Sequence, residues 1–515
     1  MSANLFEAIE NGITCKDAPF MEAAGMAVAG GTEKSGGEKY SYGDMLALSG
    51  KYANALISLG IKPGDRIAVQ VNKSPETLFL YLACLRAGAV YLPLNTGYTM
   101  DEVAYFLADA EPVLAICRPQ VKDEFERLAA RFGVKKVQTM SGAGSLAEIA
   151  EKSEARFKTA PRKADDLAAI LYTSGTTGRS KGAMLTHENL TSNARVLRDY
   201  WQFTSDDILL HGLPIYHTHG LFVATNTVLL SGSSLLFMAK FDAAALCGLL
   251  PRATVMMGVP THYHRLLALQ EFKADVVRNM RLFISGSAPL SSEIHKEFSA
   301  RTGHAILERY GMTETNMNTS NPYDGPRRAG TVGLALPGVE LRIADAKTGH
   351  LLPQGQIGVI EVRGPNIFKG YWRMPEKTAA EFRPDGFFIT GDLGYIDDQG
   401  YIHISGRDKD LIITGGLNVY PAEIEAAIDA LPQVSESAVI GVPHADYGEG
   451  VTAIVALHPG GVIDEGAARE VLAKKLAAFK VPKRIITVDA LPRNAMGKIQ
   501  KKALREQYKN LFDNA

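Results

Sequence analysis

The run Thr173-Ser174-Gly175-Thr176-Thr177-Gly178-Arg179-Ser180-Lys181-Gly182 follows directly on the apolar stretch from Leu167 to Tyr172. Its glycines open backbone conformations closed to other residues, its hydroxyl and main-chain N–H groups donate to phosphate oxygens, and Lys181 adds positive charge. That chemistry is the gripping of phosphate. It is not a Walker A loop, because Ser180 stands before the lysine where Gly is required, and Gly182 follows where Ser or Thr should hold Mg²⁺. A second group of side chains suits an organic anion. Thr254 to Val259 reads as a strand, Pro260-Thr261 turns the chain, and Thr261 is expected to cap a helix whose first turn carries His262, Tyr263, His264 and Arg265. Arg265 then falls near a strand's carboxyl end, where an unpaired guanidinium suits the second carboxylate of a small diacid better than a fatty or aryl chain. The competing reading is a surface arginine pairing with a helix neighbour, and Arg281, just before Leu282-Phe283-Ile284, is the rival cation.

Other residues are chemically able but ambiguous. His217, in Leu213-Pro214-Ile215-Tyr216-His217-Thr218-His219-Gly220, meets a carboxylate or is a hydrogen-bonded core histidine. Lys498 stands with Lys501 and Lys502 in a basic tail, which by composition describes a solvated lysine. Asp392 and Arg407 read as ribose-binding groups or as a surface ion pair.

Alternating elements position these groups. Met45, Tyr52, Leu56 and Leu59 recur at helical spacing before the short strand Ile67 to Val71. Pro75 to Ala87 forms a helix that stops at Gly88, ahead of Val90-Tyr91-Leu92. Thr99-Met100-Asp101-Glu102 has capping-box spacing for a helix that ends near Pro112, and Val113 to Cys117 is the next strand. The expected fold is α/β, with βαβ-built parallel sheets and ligands at the strands' carboxyl ends. Gly330 to Gly364 and Gly386 to Gly406 add a small β-rich unit. The polar segment Ser405 to Asp410 separates an N-terminal region, 1–408, from a smaller α+β C-terminal domain, 409–515.

The whole chain narrows the function classes. Of 515 residues, 55 are Lys or Arg and 56 Asp or Glu, a net charge of -1 that offers no footprint for nucleic acid or an anionic membrane. Cys15, Cys84, Cys117 and Cys247 lie far apart without a C-x-x-C pair, which argues against a disulfide framework or zinc site and for a reducing, cytoplasmic setting. Met1 to Glu10 lacks a secretory pattern. Residues 208–239 carry no Asp, Glu, Lys or Arg, but histidines, Pro214 and several Gly and Ser break the apolar run, so the stretch reads as buried core beside a site.

The phosphate-gripping run resembles the signature of the adenylate-forming superfamily, which includes acyl-CoA synthetases, luciferases and peptide-synthetase adenylation domains. Further motifs occur in that family's order: Ser285-Gly286-Ser287-Ala288-Pro289, Glu308-Arg309-Tyr310-Gly311-Met312-Thr313-Glu314, Thr390-Gly391-Asp392, Gly406-Arg407-Asp408-Lys409-Asp410 and Pro492 to Lys498. The resemblance covers nearly the whole chain. It implies ATP and CoA as co-substrates and Mg²⁺ at Glu314. ATP would be bound by Thr173, Ser174, Gly175, Thr176, Thr177, Gly178, Lys181, Glu308, Arg309, Tyr310, Asp392 and Arg407. Catalysis would fall to Lys498, Thr313, Glu314 and His217. The hinge would be Lys409, about which a mobile C-terminal lid swings, and Gly415, Gly416 and Leu417 would line the CoA channel.

Within the superfamily, the segment from Glu308 to Ser320 together with Arg265 most resembles the malonyl-CoA synthetases. That implies malonate, and in second place methylmalonate, as the acid, bounded by Arg265, Ser287, His217 and Met312, with Arg281 as the alternative cation. The competing expectations are a ligase for an aryl or medium-chain monocarboxylate, transfer to a carrier-protein thiol, and a nucleotide-binding regulator without turnover. Partners are otherwise small molecules, and an acetyltransferase acting on Lys498 would remove the charge that adenylation needs.

Overall fold

The computed structural model describes residues 2–24, 37–141, 144–173, 180–414, 417–444, 446–494 and 497–512. Up to Arg407 the chain builds three sheets. One has seven strands in the order Gly370–Tyr371, Lys181–Thr186, Leu167–Thr173, Val90–Pro93, Arg66–Gln70, Leu114–Cys117, Lys136–Thr139, parallel from Leu167–Thr173 outward to Lys136–Thr139. The second has nine strands and is parallel through its centre, where Leu307–Met312, Leu282–Ser285, Val255–Gly258, Ile208–His211 and Ser234–Met238 lie side by side. The third is a four-stranded antiparallel sheet, Glu340–Ala344, Gly358–Arg363, Phe388–Ile396 and Ile402–Arg407, the β-rich unit expected from the sequence.

The helix Pro75–Ala87 is the hub of the core. All of its residues except Glu76 are buried, and its side chains join those of both large sheets in one apolar cluster. A helix apolar on every face can only be an interior one. Its ends follow from local chemistry: Ser74 accepts from the Thr77 N–H, Pro75 opens the first turn, and Gly88 closes it at φ 71°. The capping box expected at Thr99 is present, Glu102 returning a hydrogen bond to the Thr99 N–H at 2.8 Å. Thr261 does not cap its helix, which spans Pro260–Leu267. Pro260 takes the first helical position, so the cap falls on Val259, which has no side-chain acceptor to offer.

Most of residues 208–239 are buried as expected, but part of them forms a π-helix, His219–Thr225, that the apolar pattern did not foretell. Among the described residues no helix is long and apolar enough to cross a membrane, and the four cysteines are free. Beyond the turn Asp408–Asp410 the chain builds a separate sheet around the long pair Val434–His444 and Gly448–Leu457, with Arg484–Val488 added in parallel. It has its own cores, one around Ile424, Val439 and Val455, another around Ile440, Leu504 and Phe512.

Candidate active site

The carboxyl ends of Val255–Gly258, Leu282–Ser285 and Leu307–Met312 meet at a pocket of imidazoles and cations. Arg309 extends beneath the loop after Ser285 and is buried, 3% exposed. A Cβ on Gly286 would come within 2.3 Å of its Cζ, so only glycine lets the guanidinium lie there. Nε and one Nη of Arg309 are buried without a hydrogen-bond partner, and burial lowers its pKa to about 9, opposed only by the nearby Tyr263 phenol. Ser287, held at φ 72°, places its Oγ 3.2 Å from His219 Nδ1.

Four histidines gather here, and burial keeps them neutral. His217 is pushed down to about 3 by burial and then by the positive charges of Lys498 and Arg309. His262, stacked on Phe241 at 3.8 Å, is pushed down to about 3 by burial, Arg265 and Lys73. His211 and His219 lie well below the usual imidazole range, burial again first. The tautomer of His211 follows from its partners. The Gly220 carbonyl, 2.9 Å from Nε2, can only accept, so Nδ1 is the unprotonated nitrogen and accepts from Lys73 Nζ at 2.9 Å. Lys73 also donates to the carbonyls of His211 and Leu213, each at 2.8 Å. A Cβ on Gly220 would meet the Pro214 carbonyl at 2.0 Å. The segment bearing His217 is thus closed on itself and clipped to the central helix by the residue that precedes Ser74.

The adjoining half of the cleft is carboxylate and hydroxyl. The Tyr310 hydroxyl donates to Asp392 Oδ2 at 2.6 Å and Arg407 Nε to Oδ1 at 2.9 Å, which fixes the carboxylate's orientation. Glu314 is buried, and burial raises its pKa. The Tyr371 hydroxyl lies 3.0 Å from Glu314 Oε1 and 2.7 Å from Glu381 Oε2, so one proton is offered to two carboxylates. Lys181 Nζ reaches Glu381 Oε1 at 3.2 Å and sits 4.0 Å above the Tyr371 ring. From the C-terminal domain, Lys498 enters this cleft. Its surface remains open to solvent, yet the surrounding protein lowers its pKa, with Arg407, Asp392, Glu314 and Arg309 all close enough to act on it.

Such a cleft can assemble two anions around a lysine, one on the side of Arg309 and the neutral imidazoles and one on the hydroxyl side. Residues 18–372 match the AMP-binding enzyme family and residues 423–498 match the AMP-binding enzyme C-terminal domain. The chain belongs to the AMP-binding enzyme family. It is 34% identical to the malonate–CoA ligase of Arabidopsis thaliana over 93% of this chain and 86% of that one. It is also 34% identical to a feruloyl-CoA synthase of Amycolatopsis over 92% and 95%. Among solved structures, ATP-bound MatB from Rhodopseudomonas palustris is 57% identical with a TM-score of 0.96, the match covering 99% of this chain and 100% of that one.

For this AMP-binding enzyme the fold brings together Tyr310, Glu314, Asp392, Arg407, Lys181 and Lys498 on the carboxylate side of the cleft, whereas Arg309, expected among the ATP-binding residues, lies with His217 and Ser287 on the imidazole side, and Met312 and Thr313 are half-buried. Glu308 points elsewhere: burial raises it to about 8, and it accepts from the Gly330 N–H. Arg281, the alternative cation, already has its partners. It lies at the amino end of its strand and is spent on Asp207, with Nε and Nη2 each 2.7 Å from a carboxylate oxygen, and on the Trp201 carbonyl. Arg265 is exposed on the last turn of Pro260–Leu267, and it acts on His262. Ser174, Gly175, Thr176, Thr177 and Gly178, like Gly415 and Gly416, lie outside the described residues, while Thr173 ends its strand and Leu417 is exposed. Lys73, His211, Tyr371 and Glu381 escaped the sequence reading, which places His262 on its helix without a role. Only the density of histidines from 211 to 219 hinted at the first of these contacts.

Proposed function

We propose that this enzyme joins malonate to coenzyme A, converting ATP to AMP and pyrophosphate through a malonyl-adenylate. The observation that carries the choice of acid is Arg309, a buried guanidinium with unpartnered nitrogens on which no carboxylate acts among the described residues. A monocarboxylate leaves that cation buried and unpaired, whereas a short dicarboxylate supplies its anion. One methylene separates the carboxyl carbons of malonate, which ordinary C–C bond lengths place about 2.5 Å apart. A clamp for the second carboxylate therefore belongs beside the reacting one, and Arg309 acts on both His217 and Lys498. Arg265 would add positive charge on the solvent side of His262, with Ser287, His217 and Met312 bounding the short chain. The likeness to the Arabidopsis malonate–CoA ligase supports this reading, although the feruloyl-CoA synthase is equally identical, so the pocket has to decide. The extra methyl of methylmalonate changes discrimination by only about 1–3 kcal/mol in an apolar pocket, which makes it the expected second substrate.

Carboxylate attack on the α-phosphorus brings anions together, so the site must align them and neutralise charge. Lys498 would bridge the carboxylate and the α-phosphate, and Thr313 would contact the same phosphate. The run from Thr173 to Gly178, with Lys181, would hold the remaining phosphates, and Asp392, oriented by Tyr310 and Arg407, would accept from the ribose hydroxyls. Among the described residues no three potential ligands cluster into a closed metal cage. A lone buried carboxylate suits Mg²⁺ shared with phosphate, so Glu314 would hold the ion, which neutralises phosphate charge when bound. Rotation at Lys409 would then withdraw Lys498 and bring Gly415, Gly416 and Leu417 to the thiol's path. The open surface of Lys498 also leaves it within reach of an acetyltransferase, which would abolish its charge.

The test is AMP release dependent on CoA and ATP across acetate, malonate, methylmalonate, succinate, octanoate and a hydroxycinnamate, with products identified by mass, in the wild type and in Arg309→Met and Arg265→Met. Selective malonyl-CoA formation that Arg309→Met abolishes and Arg265→Met weakens is expected. Preference for a monocarboxylate, or full malonate turnover in Arg309→Met, would sink the assignment.

A further inference from the structure

The segment that resembles the malonyl-CoA synthetases runs on past Glu314 into a strand rich in amides and hydroxyls, Asn316–Ser320, and that strand is buried from end to end. Apolar residues would fill such a place at lower cost, because each buried amide or hydroxyl has to find a partner. Two amide oxygens here, Asn316 Oδ1 and Asn366 Oδ1, are buried without one, so stability alone does not account for the composition. What the polar groups hold is the turn between Met312 and Asn316, in which Glu314 stands. Thr315 Oγ1 accepts from Asn318 Nδ2 at 2.8 Å and from the Met312 N–H at 3.4 Å. Asn366 Nδ2 donates to the Thr315 carbonyl at 2.7 Å and to Asn318 Oδ1 at 3.2 Å, and the Phe368 N–H donates to the Glu314 carbonyl at 2.8 Å. The turn is thus fastened to the segment 364–371, whose last residue, Tyr371, meets the Glu314 carboxylate through its hydroxyl. One helix, His187–Tyr200, braces both partners. Its Asn189 donates to the carbonyls of Pro365 and Ile367 at 2.8 and 2.7 Å, and one turn later Asn193 bonds the carbonyl and the N–H of Met317 at 2.9 and 3.2 Å.

We propose that Thr315, Asn318 and Asn366 are positioning residues that lock the Glu314 turn to the segment 364–371, so that the carboxylate is held in place for a nucleotide-bound Mg²⁺. Groups that hydrogen-bond the support of a metal ligand fix its orientation, and a ligand already fixed gives up less freedom when the ion binds. The bracing helix follows directly on the strand Lys181–Thr186, so Lys181 and Glu314 are carried by one unit. A malonate pocket and a nucleotide site thereby share the same stretch of chain, with Met312 facing the first role and Thr315 onward the second. The inference rests on the reading of Glu314 as the Mg²⁺ residue given above.

The experiment is calorimetric titration of ATP in the absence of any acyl acid, once in excess Mg²⁺ and once in EDTA, with thermal midpoints recorded alongside. It compares the wild type with Glu314→Gln, Thr315→Ser, Thr315→Val and the double variant Thr315→Val/Asn318→Leu, which removes both partners of one bond so that neither is stranded. The factor by which Mg²⁺ tightens ATP should fall about tenfold in Thr315→Val and in the double variant, while the affinity in EDTA stays near that of the wild type and Thr315→Ser keeps the full factor. A lowered thermal midpoint with the Mg²⁺ factor intact overturns the lock, because that is what a merely structural network gives. Equal losses of affinity with and without Mg²⁺ also overturn it. If Glu314→Gln itself keeps the full factor, the metal reading of Glu314 fails and this inference with it. Loss of the factor in Glu314→Gln alone leaves that reading standing and overturns only the lock.

Discussion

Lys73→Met isolates the support of the acyl side from the chemistry. The ammonium donates three hydrogen bonds, to His211 Nδ1 at 2.9 Å and to the carbonyls of His211 and Leu213 at 2.8 Å, and it lies 4.2 Å over the Phe237 ring. Charged-donor hydrogen bonds contribute about 1.5–3 kcal/mol each, so three of them amount to about 5–9 kcal/mol. Against this, burial pulls the Lys73 pKa well below its ordinary value, and no carboxylate offsets that burial. Deleting such a cation restores several kcal/mol. Methionine matches the stem's length and fills its space, so the net destabilisation should be about 2 kcal/mol. The functional loss should be larger. Without Lys73 the segment from Gly212 to Gly220 loses its tie to the central helix, and a displacement of about 1 Å at His217 costs about 100-fold in rate. Steady-state AMP release, with malonate varied at saturating ATP and then ATP varied at saturating malonate, reads the effect. The malonate kcat/KM should fall 10- to 100-fold, roughly, while the ATP KM holds, because Tyr310, Asp392 and Arg407 make no contact with Lys73. A variant with unchanged malonate kinetics, or with both KM values raised together, would refute the positioning role.

Two further outcomes follow from the same geometry. His262 has a folded pKa of about 3 against an ordinary 6.5, so between those pH values the unfolded chain binds a proton that the folded one does not, and stability rises with pH by up to about 1.4 kcal/mol per pH unit. His262→Phe, which keeps the stack on Phe241, should take that share off the slope below pH 6.5, to which His217, His211 and His219 also contribute, and leave the plateau above it. An acid-unfolding series with equal slopes for both proteins would contradict the buried neutral imidazole. Arg281→Met should destabilise the chain by about 3 kcal/mol by stranding the buried Asp207 carboxylate, with the malonate KM unchanged. A raised malonate KM at full stability would return Arg281 to the acyl pocket.

What the sequence made legible is what a short stretch of chain decides for itself. Ser74, Pro75 and Gly88 bound their helix because capping and left-handed turns involve only neighbouring residues. The capping box at Thr99 is another such case. The motifs around Lys181 and Glu314 could be placed beside strand ends for the same reason. Thr261 shows the limit even there, since the proline beside it has the stronger claim on the helix start and displaces the cap by two residues.

The supports of the site are of another kind. Lys73 meets His211 across 138 positions and Lys181 meets Glu381 across 200. Neither pair leaves a periodic trace, because a single polar contact between elements imposes no repeat on either one. Arg265 and Arg281 are instructive together: both are arginines beside an apolar strand of the same sheet, and composition cannot rank them. The ranking comes from which end of the strand each occupies and from whether a carboxylate is already there, as Asp207 is for Arg281. The same rule singles out Arg309, hidden inside a motif that looked wholly nucleotide-directed. Its two unpartnered nitrogens are visible only once Gly286 is seen to make room for them. On the reading proposed above, acid specificity in this enzyme would be set by where the chain leaves a buried charge without a partner, and that is a property of the assembled sheet.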